Sequence, residues 1–282
     1  MSVDLHLTAF FDAAVEQHLL STSDRVLGEL TVRRAGLSGN AAIPIAVAVA
    51  LLARARDDGH SALSLRDLAA EATELARELA AEVSAAHCCA QIREHDAALW
   101  RAMLDAVPSV VQAANSPVSS PMVLHGSLVQ FRRYFDAEQR IAMRIRASRA
   151  LREPTFRVIT GGPGTGKTTR IAELLVETLE RDPALRVALA APTGKAAARL
   201  SESVRLRLDA IQASPEVRGL VPQSARTVHR LLGYQPDRDR FWSRAGTPLP
   251  YDLVILDEAS MVDVLLVDAL IAALPTQATL LL

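Results

Sequence analysis

Residues 161–168 read Gly-Gly-Pro-Gly-Thr-Gly-Lys-Thr, a glycine-rich turn that ends in an amine and a hydroxyl. That spacing suits a bound phosphate chain. Glycines let successive backbone N–H groups curl toward phosphate oxygens. A helix opening at the end of the turn adds free amides and a partial positive charge. Lys167 can reach the β- and γ-phosphates, and the hydroxyl of Thr168 can ligate Mg²⁺. The candidate nucleotide contacts are therefore Gly161, Gly162, Pro163, Gly164, Thr165, Gly166, Lys167, Thr168 and Thr169.

A second segment has the complementary chemistry. Residues 253–256 are Leu-Val-Ile-Leu, followed by Asp257 and Glu258. Four apolar residues make a buried strand that delivers two carboxylates at its tip. Asp257 is placed to hold Mg²⁺ through water, and Glu258 to orient and deprotonate an attacking water. Ser260 and Asp263 are expected to cap the next helix.

Lys167 and Lys195 are the only lysines; the other 29 of the 31 basic residues are arginine. Lysine is a compact point charge and arginine a broad planar fork, so a tight phosphate cradle selects lysine. Lys195 sits in Pro192-Thr193-Gly194-Lys195, at a strand end that leads into a small-residue helix. Free amides, a hydroxyl and the amine there can hold a nucleic-acid phosphate. In residues 227–233, Thr-Val-His-Arg-Leu-Leu-Gly, Thr227 can cap a short helix that Gly233 ends. His229 and Arg230 can then face a backbone phosphate, although His229 taken alone reads as a packed histidine.

These groups need a scaffold that brings distant segments together. From residue 156 the pattern alternates strand and helix. Strands are expected at 156–160, 186–191, 253–256 and 278–282. Helices are expected from Lys167 to a stop at Asp182-Pro183, and over 195–208. This alternation predicts a parallel α/β sheet covered on both faces, with ligands at the carboxyl ends of its strands.

The first half reads as helical. Ser64 and Asp67 resemble a capping box, and Leu65, Leu68, Ala72, Leu75, Leu79 and Val83 recur on one helical face. The apolar run at 41–53 is about 13 residues and contains Pro44; a membrane span needs about 20, so it reads as a core helix. Prolines at 108, 117 and 121 bracket a serine-rich crossing, and 122–131 suggests a hairpin leading to a basic helix that starts near Asp136. The domains are thus expected at 1–121 (helical, interaction), 122–155 (hairpin and connecting helix) and 156–282 (α/β).

The composition is that of a globular chain, half hydrophobic and 22% charged. Cys88 and Cys89 fit free thiols in a reducing cytoplasm, and the N-terminus lacks a basic signal-peptide region, so a cytoplasmic protein without membrane contact is expected. His87 beside the cysteines finds no second cluster to close a metal site. Residues 1–130 hold 9 basic against 15 acidic residues, and residues 131–282 hold 22 against 17. Only the second half has the charge to face a polyanion.

Four segments, at 161–169, 190–200, 227–233 and 257–263, together resemble the RecD family of superfamily 1 DNA helicases, the alpha subunits of exodeoxyribonuclease V. The resemblance is specific over 156–282 and implies a RecA-like P-loop NTPase fold after a mainly helical domain. It implies an ATP- and Mg²⁺-dependent motor moving 5′→3′ on single-stranded DNA from a duplex end, acting in double-strand-break repair. It also implies a helicase–nuclease (RecB-like) and a scaffold (RecC-like) partner, the scaffold receiving the N-terminal domain. That family carries an adenine-contacting glutamine before the loop, for which Gln139 is the nearest candidate. It also continues into a second motor lobe with an arginine finger. The chain ends at Leu282 before such a lobe, so a truncated form that binds Mg-ATP but unwinds little alone is expected. A fragment of a stand-alone RecD-like helicase, a non-catalytic assembly module and a loop ATPase unrelated to DNA remain open at this point.

Overall fold

The structure is a computed structural model that describes residues 5–114, 116, 120–151, 153–161, 166–238, 240–244 and 246–282. The chain divides into two compact units between Asp136 and Ala137.

The first unit has helices α1 (Leu5–Glu16), α2 (Thr22–Arg34), α3 (Ala42–Asp57), α4 (Leu65–Glu78), α5 (Ala86–Ala90) and α6 (Ala97–Asp105). A small sheet joins them, with strands β1 (Ala62–Ser64), β2 (Val111–Ala113), β3 (Met122–His125) and β4 (Leu128–Phe131) in the order β1-β4-β3-β2. The apolar run forms α3 and is buried along nearly its whole length, as the core of this unit. By length and composition alone, residues Gly39–Asp57 could also cross a membrane.

Ser21 and Asp24 form a reciprocal capping box on α2: the Asp24 amide donates to Ser21 Oγ at 3.2 Å and the Ser21 amide to Asp24 Oδ2 at 2.8 Å. A β-carbon on Gly28 would stand 2.7 Å from the carbonyl oxygen of Ala46, so glycine is what lets α2 approach α3. Gly28→Ala is expected to destabilise the fold by about 1–3 kcal/mol through overpacking, read as a lower urea midpoint. An unchanged midpoint would mean that the two helices part without cost.

The structure departs from several expectations in this half of the chain. Ser64 does cap α4, its Oγ accepting from the Asp67 amide at 3.0 Å. The helix stops at Glu78, and a 3₁₀ turn over Leu79–Ala81 rotates Val83 off the buried stripe, leaving it 92% exposed. Helix α7 (Arg132–Arg149) starts four residues before Asp136. It does so because β4 runs directly into it and the Arg132 amide finds the Pro121 carbonyl at 2.8 Å. The hairpin at 122–131 is not a separate connector: β1 pairs with β4 and ties it into the first unit. Of the serine-rich crossing, Asn115 and residues 117–119 lie outside the described residues.

The second unit is the expected parallel α/β layer. Its elements are β5 (Phe156–Arg157), α8 (Lys167–Arg181), β6 (Val187–Ala191), α9 (Gly194–Ala210), α10 (Pro215–Leu220), β7 (Arg226–Thr227) and α11 (Val228–Leu232). They continue with β8 (Tyr234–Gln235), β9 (Arg240–Phe241), β10 (Leu253–Leu256), α12 (Val264–Ala273) and β11 (Thr279–Leu281). Five strands form one sheet, ordered β5-β11-β10-β6-β7, and every pairing in it is parallel. β5 is shorter than the 156–160 expected; beyond it one bond, from the Ile159 amide to the Leu282 carbonyl, continues the ladder.

Side chains alternate between two cores. Val187, Leu189, Leu253, Ile255 and Leu281 meet α8, α9 and α10 on one face. Ala188, Ala190, Val254, Leu256 and Leu280 meet α11 and α12 on the other. A strand buried on both faces must be apolar at every position, which is why 187–191 and 253–256 read as unbroken runs. The later turns of α7 join this unit through Arg140, which grips Asp268 with both carboxylate oxygens, and Arg144, which donates to the carbonyls of Pro275 and Ala278. Burial lowers the pKa of Arg144.

Asp252, just before β10, accepts from the Arg186 guanidinium and from its backbone amide, and these bonds hold it below the usual carboxylate range. A depressed folded-state pKa gives stability that is present above the ordinary aspartate value and is lost as pH falls through the lowered one. The urea midpoint of Asp252→Asn should therefore trail the parent at neutral pH, and the gap should close in acid. A gap independent of pH would remove the ion pair as its cause.

Candidate nucleotide and nucleic-acid site

A parallel sheet sends all its strand ends to one edge. β5 runs toward Gly161, β6 into Pro192, β7 into α11, and β10 into Asp257. Four segments far apart in sequence thus reach one edge of one sheet.

At the first strand end, Gly166 holds φ 85°, a left-handed conformation natural to glycine, and caps α8. Lys167 opens the helix and folds back, its Nζ donating to the Gly161 carbonyl at 2.8 Å. Thr168 and Thr169 occupy the first turn, partly buried. No acidic side chain stands in that turn, so the turn itself leaves its positive end unneutralised. Gly162, Pro163, Gly164 and Thr165 lie outside the described residues.

At the end of β10, the Asp257 amide bonds the Ala190 carbonyl at 3.0 Å, which fixes Asp257 against β6. Its Oδ1 accepts from the Glu258 amide at 2.9 Å. Glu258 is exposed and holds φ 56°, ψ 36°. A left-handed glutamate costs about 1–3 kcal/mol, and such strain collects where a side chain must be aimed. Asp263 caps α12 as expected, accepting from the Leu265 amide at 2.7 Å. Ser260 instead lies in a 3₁₀ turn over Ala259–Met261 and does not cap α12.

At the end of β6, Thr193 caps α9, its Oγ1 accepting from the Ala196 amide at 3.2 Å. Thr227 does the same for α11, accepting from Arg230 at 3.2 Å. An accepting hydroxyl still has its proton to donate, so both remain available to a phosphate. Thr193, Gly194 and Lys195 are exposed and Pro192 is half-buried. His229 and Arg230 are exposed on α11. His229 also meets the rings of Tyr234 and Phe241, at 5.5 and 6.0 Å between centroids.

A hairpin after α11 was not expected from the sequence. β8 and β9 form it, and Gly233, at φ 66°, both ends the helix and admits the hairpin. A β-carbon on Gly233 would meet Trp242 Cβ at 3.0 Å. The Trp242 amide bonds the Gly233 carbonyl at 3.1 Å. Trp242 is 63% exposed, next to Phe241, which pairs with Tyr234, and Arg238, Arg240 and Arg244 lie along the same short segment. The signal was legible: three of the chain's 11 aromatic residues fall within 234–242, interleaved with arginine.

Gln139 lies exposed on α7 next to Arg140, so its place is set by the grip of Arg140 on α12 rather than by the phosphate loop. Among the described residues, no group of three or more His, Cys, Asp or Glu side chains could hold a metal. His87 bonds Asn40 and lies at a tilt to the ring of His6, and Cys88 and Cys89 are buried thiols outside any disulfide, Cys88 Sγ donating to the His6 carbonyl at 3.4 Å.

Residues 16–129 match the model of the RecBCD enzyme subunit RecD N-terminal domain, and residues 144–282 match an AAA domain model. The chain is 43% identical over 166 residues to a RecBCD enzyme subunit RecD of Mycolicibacterium smegmatis, which covers 56% of this chain and 29% of that protein. It is 38% identical over 157 residues to the Haemophilus influenzae RecBCD enzyme subunit RecD, covering 53% of this chain and 24% of that one. An ATP-dependent RecD2 DNA helicase of Deinococcus radiodurans is 44% identical over 127 residues, 44% of this chain and 14% of the relative. The chain spans less than a third of the length of these relatives. The AAA match makes the second unit a nucleotide-binding domain.

Proposed function

The chain belongs to the RecD family, and from that premise we propose that it carries the ATP-binding lobe of a 5′→3′ DNA helicase subunit that works in double-strand-break repair. The observation that carries the reading is the convergence of Gly161 and the start of α8, Asp257-Glu258, the turn at 192–195 and the start of α11 on one sheet edge. Gly161 to Thr169 hold the triphosphate of ATP through backbone amides. Lys167 neutralises the β- and γ-phosphates. Thr168 and Asp257 hold Mg²⁺, which supplies charge neutralisation on the transferred phosphoryl group. Glu258 aims the attacking water and accepts its proton. Gln139 is the proposed adenine contact.

On the same edge, Pro192, Thr193, Gly194, Lys195, Thr227, His229 and Arg230 hold the phosphates of single-stranded DNA entering from a duplex end. Positive charge with interleaved aromatics is what sequence-tolerant binding of a single strand uses. The first unit is the docking part, received by a RecC-like scaffold in a complex that also holds a RecB-like helicase–nuclease, and the place of work is the cytoplasm. The match of residues 16–129 to the RecD N-terminal domain favours this subunit reading over a stand-alone helicase.

Single-strand affinity tests the DNA half of the proposal. Lys195→Ala should weaken a fluorescent oligothymidylate and flatten the salt dependence by about one counterion. Trp242→Ala should weaken it roughly tenfold, since stacking on one base is worth about 1–3 kcal/mol. ATP affinity should stay at the parent value in both. Unchanged oligonucleotide binding in both variants would take DNA off this edge.

A further inference from the structure

The first unit contains a basic cavity that the motor chemistry leaves unused. Residues 1–136 hold 11 arginines against 16 acidic residues, a balance of −5. A cavity of about 510 Å³ in this acidic unit is nonetheless lined by Arg56, Arg132 and Arg133, against the single carboxylate of Asp136. The rest of its lining includes Leu27, Pro121 and Phe131.

Arg132 is the telling residue. Its side chain is 15% exposed, and Nε and Nη2 are buried without a hydrogen-bond partner among the described residues. These two nitrogens form the side-on edge of the guanidinium, the edge that takes both oxygens of a carboxylate. The nearest carboxylate oxygen, Asp136 Oδ1, is 3.8 Å from the other nitrogen, Nη1. A buried charged donor left without an acceptor is costly, and each such group calls for a partner. Arg132 and Arg133 also open α7, where no acidic residue stands in the first turn. Two cations at the positive end of a helix dipole are unfavourable unless an anion joins them. Arg56 is already held by Asp57, with its Nε at 2.9 Å, and adds charge without needing the cavity's occupant.

We propose that this cavity is a carboxylate-binding pocket that receives a glutamate or aspartate side chain, flanked by aliphatic residues, from a protein partner. The apolar part of the lining takes the flanking side chains. The free guanidinium edge takes the carboxylate. An extended polyanion fits less well, because Asp136 lines the cavity, Asp57 pairs with Arg56, and the unit as a whole is acidic. The proposal involves the first unit alone, so it stands or falls independently of the nucleotide and DNA reading.

The test is NMR on the ¹⁵N-labelled 282-residue chain, following the Arg132 Nε–H signal by through-bond assignment. The probes are acetyl-Leu-Glu-Leu-amide, its glutamine counterpart, inorganic phosphate and a short oligothymidylate. The glutamate peptide should shift the signal saturably and bind at least about fivefold tighter than the other three, as a charge-assisted bidentate contact requires. Arg132→Lys, which keeps the charge and removes the fork, should abolish that preference. Arg133→Gln, at an exposed position, should weaken the peptide severalfold and covers the case in which Arg132→Lys fails to fold. Equal binding of the glutamate and glutamine peptides, no shift at millimolar peptide, tighter binding of phosphate or oligonucleotide at this signal, or an Arg133→Gln chain that binds like the parent each overturns the proposal.

Discussion

Lys167→Ala is expected to lower Mg-ATP affinity by about 10- to 100-fold, the worth of one charge-assisted contact to phosphate at roughly 1.5–3 kcal/mol. The lysine opens α8 directly after a left-handed glycine and bonds the Gly161 carbonyl. That bond draws the amine back toward the residue at which the glycine-rich segment begins. The side chain is half-buried and this bond is to a backbone oxygen, so its removal leaves the two cores of the second unit intact. Thermal unfolding of the variant without nucleotide should match the parent, while calorimetric titration with Mg-ATP shows the loss. Lys167→Arg should fail to rescue, because a planar fork does not fit where a compact ammonium sits. An alanine variant that binds Mg-ATP like the parent would put the nucleotide somewhere other than this loop.

Glu258→Gln should separate binding from hydrolysis. The variant keeps size and hydrogen bonding but cannot take a proton, so Mg-ATP affinity should hold while single-turnover phosphate release drops by about 10²–10⁴-fold, the usual worth of a general base. Asp257 is anchored through its amide to the Ala190 carbonyl and through Oδ1 to the Glu258 amide. Neither bond uses the Glu258 side chain, so the carboxylate proposed to hold the metal stays in place. Phosphate release at the parent rate, measured on the same preparation with oligothymidylate present, would give the base to another residue.

Much of the second unit was legible because its strands are buried on both faces. Val187–Ala191 and Leu253–Leu256 leave no position for a polar residue, so each reads as an unbroken apolar run that ends where the chemistry starts. The capped helices were legible for the same local reason: Ser64, Thr193, Thr227 and Asp263 each meet an amide two or three residues on. What stayed hidden depends on partners remote in sequence. β1 is three residues long and is a strand only because β4, some 65 residues later, pairs with it. The two-residue strands β8 and β9 are set by Gly233 and Trp242 rather than by any alternation of their own. The end of α4 turned on whether one more turn of helix would continue past Leu79, and a tight turn there put Val83 into solvent. The bare guanidinium edge of Arg132 could not be seen in the sequence at all, since it depends on which carboxylates the fold fails to bring near.

The left-handed backbone at Glu258 has a consequence for how variants of this chain would fare under selection. Glycine occupies that conformation freely, so Glu258→Gly relieves strain and should raise thermal stability while removing the proposed base. A screen that rewards heat resistance alone would enrich glycine at this position and return well-folded proteins that hold nucleotide without turning it over. A screen that rewards turnover would retain the strained glutamate. Position 258 is thus where durability and activity pull this sequence in opposite directions.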